Sequence, residues 1–217
     1  KWLSWLAPKD GVMNIFVAPV GKVAEAKVVT ADSKRPVRQY VWAYDNQHLI
    51  YLQDVGGDEN FHLHRVKVAT GEVTDLTPLP KVRATIVHLS HKKPGSILVG
   101  LNDRDPQLHD VWQIDLATGK KTELQRNEAG MAGFLADDEL KLKLASKLMP
   151  DGSSINYVPD GKGGIQVRWS VTADPDIRER PVVLMDPLLD LVTFEDEGKR
   201  PTACLSFYAS HPQVSNL

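Results

Sequence analysis

The sequence predicts an all-β fold, a partial β-propeller of about four to five four-stranded blades. Three observations carry this: a self-similarity at an offset of 48 residues, strand-like patterning within each copy, and a near absence of helical periodicity. Ala69-Thr70-Gly71-Glu72-Val73-Thr74-Asp75-Leu76 matches Ala117-Thr118-Gly119-Lys120-Lys121-Thr122-Glu123-Leu124. The match extends backwards, with Leu49-Ile50-Tyr51 on Ile97-Leu98-Val99, Asp54 on Asn102, and Leu63, Val66 and Val68 on Val111, Ile114 and Leu116. The same offset toward the amino terminus puts Leu63, Val66 and Val68 on Ile15, Ala18 and Val20, which predicts an earlier copy over 14–20. Four short strands per repeat of ~40–50 residues is the anatomy of a propeller blade.

Within a copy the elements follow in order. A turn at 44–47, or at 92–96, precedes an apolar strand over 49–52, or over 97–101. In 64–68 and 112–116 the charged or amide residues fall on every second position, the period of a half-buried antiparallel strand. Ala-Thr-Gly then closes a hairpin whose glycine supplies a positive φ, and a short strand ending in leucine completes the unit. Past residue 127 the pattern weakens. The alternation over 137–145 predicts a strand, 150–154 a turn before a strand over 155–158, and 163–171 a further strand. Segments 181–186 and 191–195, with a turn at 196–199, are read as the start of another copy, and 128–148 is the only stretch where a helix competes. The expected single propeller-like domain divides into blades at 1–30, 31–78, 79–126, 127–172 and 173–217, the last incomplete or divergent.

Composition narrows the function classes. With 26 basic and 28 acidic residues, a net charge of -2 and 42% hydrophobic residues, the 217-residue chain has a globular profile. Its mean hydropathy is -0.27. The longest apolar run, 15–20, is far short of the ~20 residues of a membrane-spanning helix, so no membrane partner is expected. Scattered Lys and Arg residues leave no basic field for nucleic acid. The lone Cys204 closes no intrachain disulfide and has no zinc-ligand spacing around it; it reads as a small buried residue, compatible with a reducing cytoplasm. No Gly-rich phosphate loop, dinucleotide fingerprint or His-Glu-x-x-His occurs, so no cofactor is expected. The chain begins at Lys1 without a targeting segment and is read as a processed or trimmed product or a fragment.

The residues from Trp42 to Asn127 also carry a family resemblance. Tyr51-Leu52-Gln53-Asp54, Gly57-Asp58-Glu59-Asn60-Phe61-His62-Leu63, Ala69-Thr70-Gly71-Glu72, Asp75-Leu76-Thr77-Pro78 and Val99-Gly100-Leu101-Asn102-Asp103-Arg104-Asp105-Pro106 resemble the amino-terminal propeller of prolyl-oligopeptidase-family serine peptidases, in the acylaminoacyl-peptidase and dipeptidyl-aminopeptidase branch. The opening 5–21 is similar too, and the resemblance extends over about residues 1–170. It implies a propeller that filters substrates for an α/β-hydrolase domain bearing the catalytic serine, aspartate and histidine. No Gly-x-Ser-x-Gly occurs, and the sequence ends at Leu217 without the ~250 further residues of such a domain. The resemblance therefore implies a non-catalytic, truncated propeller. Its partners would be a peptide substrate or the parent enzyme's hydrolase domain, or a second copy held through exposed end blades.

Each candidate site also has a plainer structural role. Asp54, Asp58, Glu59 and Asn60, with His62, form an acidic loop suited to a peptide amino terminus, and equally to strand capping. His62 and His64 share a strand face, as a metal site requires, but Val66 and Val68 share it too and point to packing between blades. His88 and His91 have less support still, and no metal site is assigned. Asp103-Arg104-Asp105 with Asp110 lacks the glycine and terminal glutamate of a calcium loop. Ser153, in Asp151-Gly152-Ser153, reads as part of a hairpin turn, so no catalytic residue is assigned. Trp5, Trp42 and Trp112 are expected to fill space between blades. Two other readings stand beside the peptidase propeller: an independent peptide- or protein-binding module, and a hydrolase using a metal in the propeller channel.

Overall fold

The protein is described by a computed structural model covering residues 1–159 and 165–171. It divides into two compact units, Lys1–Ala145 and Ser146–Leu217.

In the first unit, β1 (Trp2–Lys9), β2 (Val12–Pro19) and β3 (Lys27–Val28) form one sheet in that order, with a 3-10 turn at Val23–Glu25 before β3. The second sheet holds β4 (Tyr40–Trp42), β5 (His48–Gln53), β6 (His62–Lys67) and β7 (Glu72–Asp75), and the third holds β8 (Ala84–Leu89), β9 (Ser96–Asp105), β10 (Leu108–Asp115) and β11 (Lys121–Gln125). In both, every strand lies beside its neighbour in sequence and pairs with it antiparallel. Then come β12 (Gly133–Ala136) and β13 (Leu142–Leu148). In the second unit β14 (Ser154–Pro159) pairs antiparallel with β15 (Ile165–Val171), Ser154 opposite Val171. The described residues contain no α-helix, and so none long and apolar enough to cross a membrane.

The repeat survives in the register. Leu49 stands opposite Val66, and 48 residues later Ile97 stands opposite Ile114. The central strands explain why their sequences read as unbroken apolar runs: both faces are covered. Leu49 and Tyr51 point into a core with Ile15 and Val17 of the first sheet, together with Val66 and Val68. Ile50 and Leu63 point the other way, into a core with Ile97, Val99, Leu101, Ile114 and Leu116 of the third sheet. Leu98 and Val111 leave the opposite face of the third sheet to meet Ala136 and Leu140. Successive sheets thus stack face to face, the arrangement of propeller blades, and the fold is a partial β-propeller. Trp42 packs against the first of these cores and Trp112 against the second, while Trp5 stacks on Phe16 at 6.1 Å.

Both Ala-Thr-Gly turns close in the same way. Gly71 (φ 76°) donates its N–H to the Lys67 carbonyl and Gly119 (φ 72°) to that of Asp115, each at 2.8 Å. A Cβ on Gly71 would meet nothing within 4 Å, so any penalty there is purely conformational. Gly71→Ala is expected to cost about 1–2 kcal/mol in urea unfolding, whereas Gly95→Ala, in equally open space without a positive φ, should cost less than about 0.5 kcal/mol.

Several expectations need correction. The first sheet has three strands rather than four. In it Ile15 and Ala18 are fully buried as their repeat positions demand, but Val20 is 54% exposed because β2 stops at Pro19. The half-buried reading of 64–68 also fails, since Arg65 on the supposedly open face is only 9% exposed. The strand over 137–145 begins only at Leu142. Asp137 Oδ1 accepts the N–H groups of Glu139 and Lys141, each at 2.9 Å, and Leu140 takes φ 61°, a side-chain-stabilised turn that overrides the alternation. The segment 128–148 is not helical. The expected fifth blade over 173–217, with segments 181–186, 191–195 and 196–199 and Cys204, lies outside the described residues.

Candidate functional site

Asn14, His62 and Asp110 lie 48 residues apart, each immediately before a fully buried residue of the repeat, Ile15, Leu63 or Val111. All three hold the chain where it leaves the last strand of its sheet. Asn14 Oδ1 accepts the Thr30 hydroxyl at 2.8 Å and the Asp32 N–H at 2.9 Å, while its Nδ2 donates to the carbonyls of Val12 and Asp32. His62 Nδ1 meets Asp75 Oδ2 at 2.7 Å, and Asp75 Oδ1 accepts the Thr77 N–H at 2.8 Å. Asp110 Oδ1 accepts the Asn127 N–H at 2.7 Å, and Asn127 in turn exchanges two 2.7 Å bonds with the Met131 backbone. The next backbone donor is tied in parallel: Ile15 N–H donates to Thr30 Oγ1 and Leu63 N–H to Thr77 Oγ1, both at 2.9 Å. Three different side chains perform one task, which sequence reading missed. The signal was present as a polar residue one position ahead of each matched apolar one.

The acidic loop joins β5 to β6. Asp54, 4% exposed, accepts two bonds from Arg35, at 3.0 and 3.1 Å. Burial alone would raise its carboxyl pKa, but the Arg35 guanidinium and the Glu59 N–H outweigh this and hold it below the ordinary value. Nothing in the sequence pointed to Arg35, 19 positions away. Asp58 binds the Asn60 side chain at 3.1 Å and accepts the N–H groups of Asn60 and Val55. Its pKa is lowered by these bonds, that to the Asn60 amide first. Glu59 is exposed, at φ 60°, and its carboxylate bonds to no other described residue. The loop therefore presents Glu59 and Asp58 outward while Asp54 is engaged inside, and His62 stands at the loop's end, bound to Asp75.

His62 and His64 share a face with ring centroids 6.5 Å apart, and His64 stacks on Tyr51 at 5.0 Å. Burial pushes the His64 pKa down, helped by His62 and opposed by Asp75 and Asp32. Burial also raises the Tyr51 hydroxyl, with Asp32 and Asp75 adding to it. A histidine whose folded pKa lies below its unfolded value of about 6.5 binds fewer protons folded than unfolded as pH falls through that region. Stability is therefore expected to decline as pH drops below about 6.5. Urea unfolding between pH 7.5 and 5.5 should show this decline, and His64→Gln should reduce it, leaving the share of His109, whose pKa burial and then Arg83 also lower.

The other candidates lie outside this loop. Arg104 grips Asp110 at 2.8 and 2.9 Å, and Asp105 Oδ1 accepts the Gln107 N–H. The Arg104 bond leads the causes that lower the Asp110 pKa. His88 and His91 stand 3.8 and 3.6 Å from the two oxygens of Asp138. In the second unit Ser153 donates its hydroxyl to Asp151 at 2.6 Å within a turn whose Gly152 has φ 81°. Among the described residues no group of three His, Cys, Asp or Glu side chains is placed to hold a metal ion.

The chain is 48% identical over 154 residues to dipeptidyl aminopeptidase BIII of Pseudoxanthomonas mexicana, covering 71% of this chain and 22% of that protein. It is 29% identical over 173 residues to dipeptidyl peptidase family member 6 of Caenorhabditis elegans, covering 76% of this chain and 23% of that protein. It thus spans less than a quarter of the length of these curated relatives. A solved prolyl endopeptidase aligns with a TM-score of 0.54 at 13% identity, over 77% of this chain and 26% of that one. No protein-family model matches.

Proposed function

Because the chain belongs to the propeller region of the prolyl-oligopeptidase family of serine peptidases, we propose that it serves as the non-catalytic scaffold and substrate gate of such an enzyme. The observation that carries this reading is the 48% identity to a dipeptidyl aminopeptidase, joined to a stack of sheets whose faces are given over to packing. The catalytic partner would be an α/β-hydrolase domain, and the substrate a peptide offered by its amino terminus. In this reading Asp58 and Glu59, the outward carboxylates of the β5–β6 loop, meet the ammonium group of that substrate.

The test is transplantation. The stretch of this chain that aligns with the Pseudoxanthomonas mexicana enzyme replaces its counterpart there, and a dipeptidyl nitroanilide and intact casein are offered. The chimaera is expected to cleave the small substrate and spare casein, and the isolated chain to cleave neither. A chimaera that digests casein as readily as the nitroanilide would overturn the gating role. Turnover by the isolated chain would overturn the non-catalytic one.

A further inference from the structure

Arg65 projects from β6 on the side of Leu63, toward the third sheet, and is only 9% exposed. Its Nη1 donates to the carbonyls of Leu116 and Ala117, and its Nη2 to Thr74 Oγ1 at 2.9 Å. All these acceptors are neutral, and Nε has no acceptor among the described residues. The Asp115 carboxylate is bonded to the Thr118 hydroxyl and N–H, which lead the causes lowering its pKa; Arg65 is close enough to help lower it but makes no hydrogen bond to it. The buried guanidinium is thus left short of acceptors. Beside it lies a cavity of about 410 Å³ whose wall includes Arg65, Thr74, Asp75, Thr118, Gly119 and Lys121. That is within the size range of small-ligand sites, ~300–1,000 Å³.

Lys121 brings a second positive charge. Its Nζ stands 5.4 Å from the centre of the Trp112 ring, whose own buried Nε1 also lacks an acceptor among the described residues. Asp75 is the one acid on the wall, and its carboxylate is already engaged by His62 and the Thr77 N–H. The two carboxylates near the cleft, Asp75 and Asp115, are already engaged while Arg65 Nε has no acceptor, so donors outnumber the acceptors left for them. We propose that this cleft binds a small oxyanion, a carboxylate or phosphate group, with Arg65 and Lys121 as its cationic anchors. Two arginine or lysine donors around one oxyanion make the charge-assisted bonds such groups favour. The site is independent of the scaffold and gate role.

Thermal unfolding of the purified 217-residue chain is followed in rising sodium phosphate or sodium succinate, with ionic strength held constant by sodium chloride. A saturable rise in Tm with at least one anion is expected; phosphate alone assigns a phosphate group, succinate alone a carboxylate. Lys121→Gln should weaken the apparent Kd about tenfold, while Lys120→Gln, its exposed neighbour, leaves it unchanged. Arg65→Gln should abolish saturation, with far-UV circular dichroism confirming that the sheets persist. If that variant does not fold, the paired lysine variants decide alone. Unsaturating shifts equal to those in chloride, or a Lys121→Gln variant that binds like the parent, would overturn the assignment.

Discussion

Truncating Leu63 to alanine is expected to lower the unfolding free energy by about 2–5 kcal/mol. Leu63 is fully buried and lies in the core shared by Ile50 and Leu76 of its own sheet and Ile97, Leu101 and Ile114 of the next. Sheets on both sides of the gap are fixed by their own hydrogen bonds, so they collapse poorly onto the vacated space and the cavity term adds to the transfer term. The measurement is the urea midpoint at unchanged slope. Val73→Ala, at a residue 42% exposed on β7, serves as the reference and should stay within about 0.5 kcal/mol of the parent. Similar losses at the two positions would mean that packing between the sheets does not hold the fold together.

Asn14→Ala is expected to cost about 2–4 kcal/mol, because it orphans the Asp32 N–H and the Val12 and Asp32 carbonyls at a fully buried position and frees the Thr30 hydroxyl. Asn14→Asp tests the direction of those bonds. An aspartate there keeps acceptors for Thr30 and Asp32 N–H but sets a charge against two carbonyls, so its folded pKa rises above the unfolded value of about 3.9. The variant should then be most stable below that pH and lose stability as pH rises through it, the opposite of the native carboxylates Asp54 and Asp110, whose pKa values are depressed. Urea titrations at pH 3.5 and 7 compare the two. A variant equally stable relative to the parent at both would contradict the bond directions at Asn14.

The parts of the fold that could be read from sequence are those governed by burial at a fixed period. Leu63, Val66 and Val68 and their partners Val111, Ile114 and Leu116 all proved buried, and Gly71 and Gly119 both adopt the positive φ their turns require. What escaped was decided by contacts between distant positions. Arg65 alternates as a solvent-facing residue does, yet carbonyls 51 and 52 residues away cover it. Asp54 belonged to the acidic loop in sequence, but Arg35 draws it inside. Alternation over 137–145 suggested a strand because it carries no information about a side chain that bonds its own backbone, as Asp137 does.

Pairing only between strands adjacent in sequence bears on how quickly the structure can form. In the second and third sheets each new strand has to find only the one made just before it, across connections of 2–8 residues. Closing such short loops costs little chain entropy, and the entropy rises only slowly with length. The core between these two sheets likewise joins stretches of chain that follow one another directly. An all-β protein usually folds slowly because its contacts are distant in sequence; here assembly can advance from one end of the chain as later segments are still being synthesised.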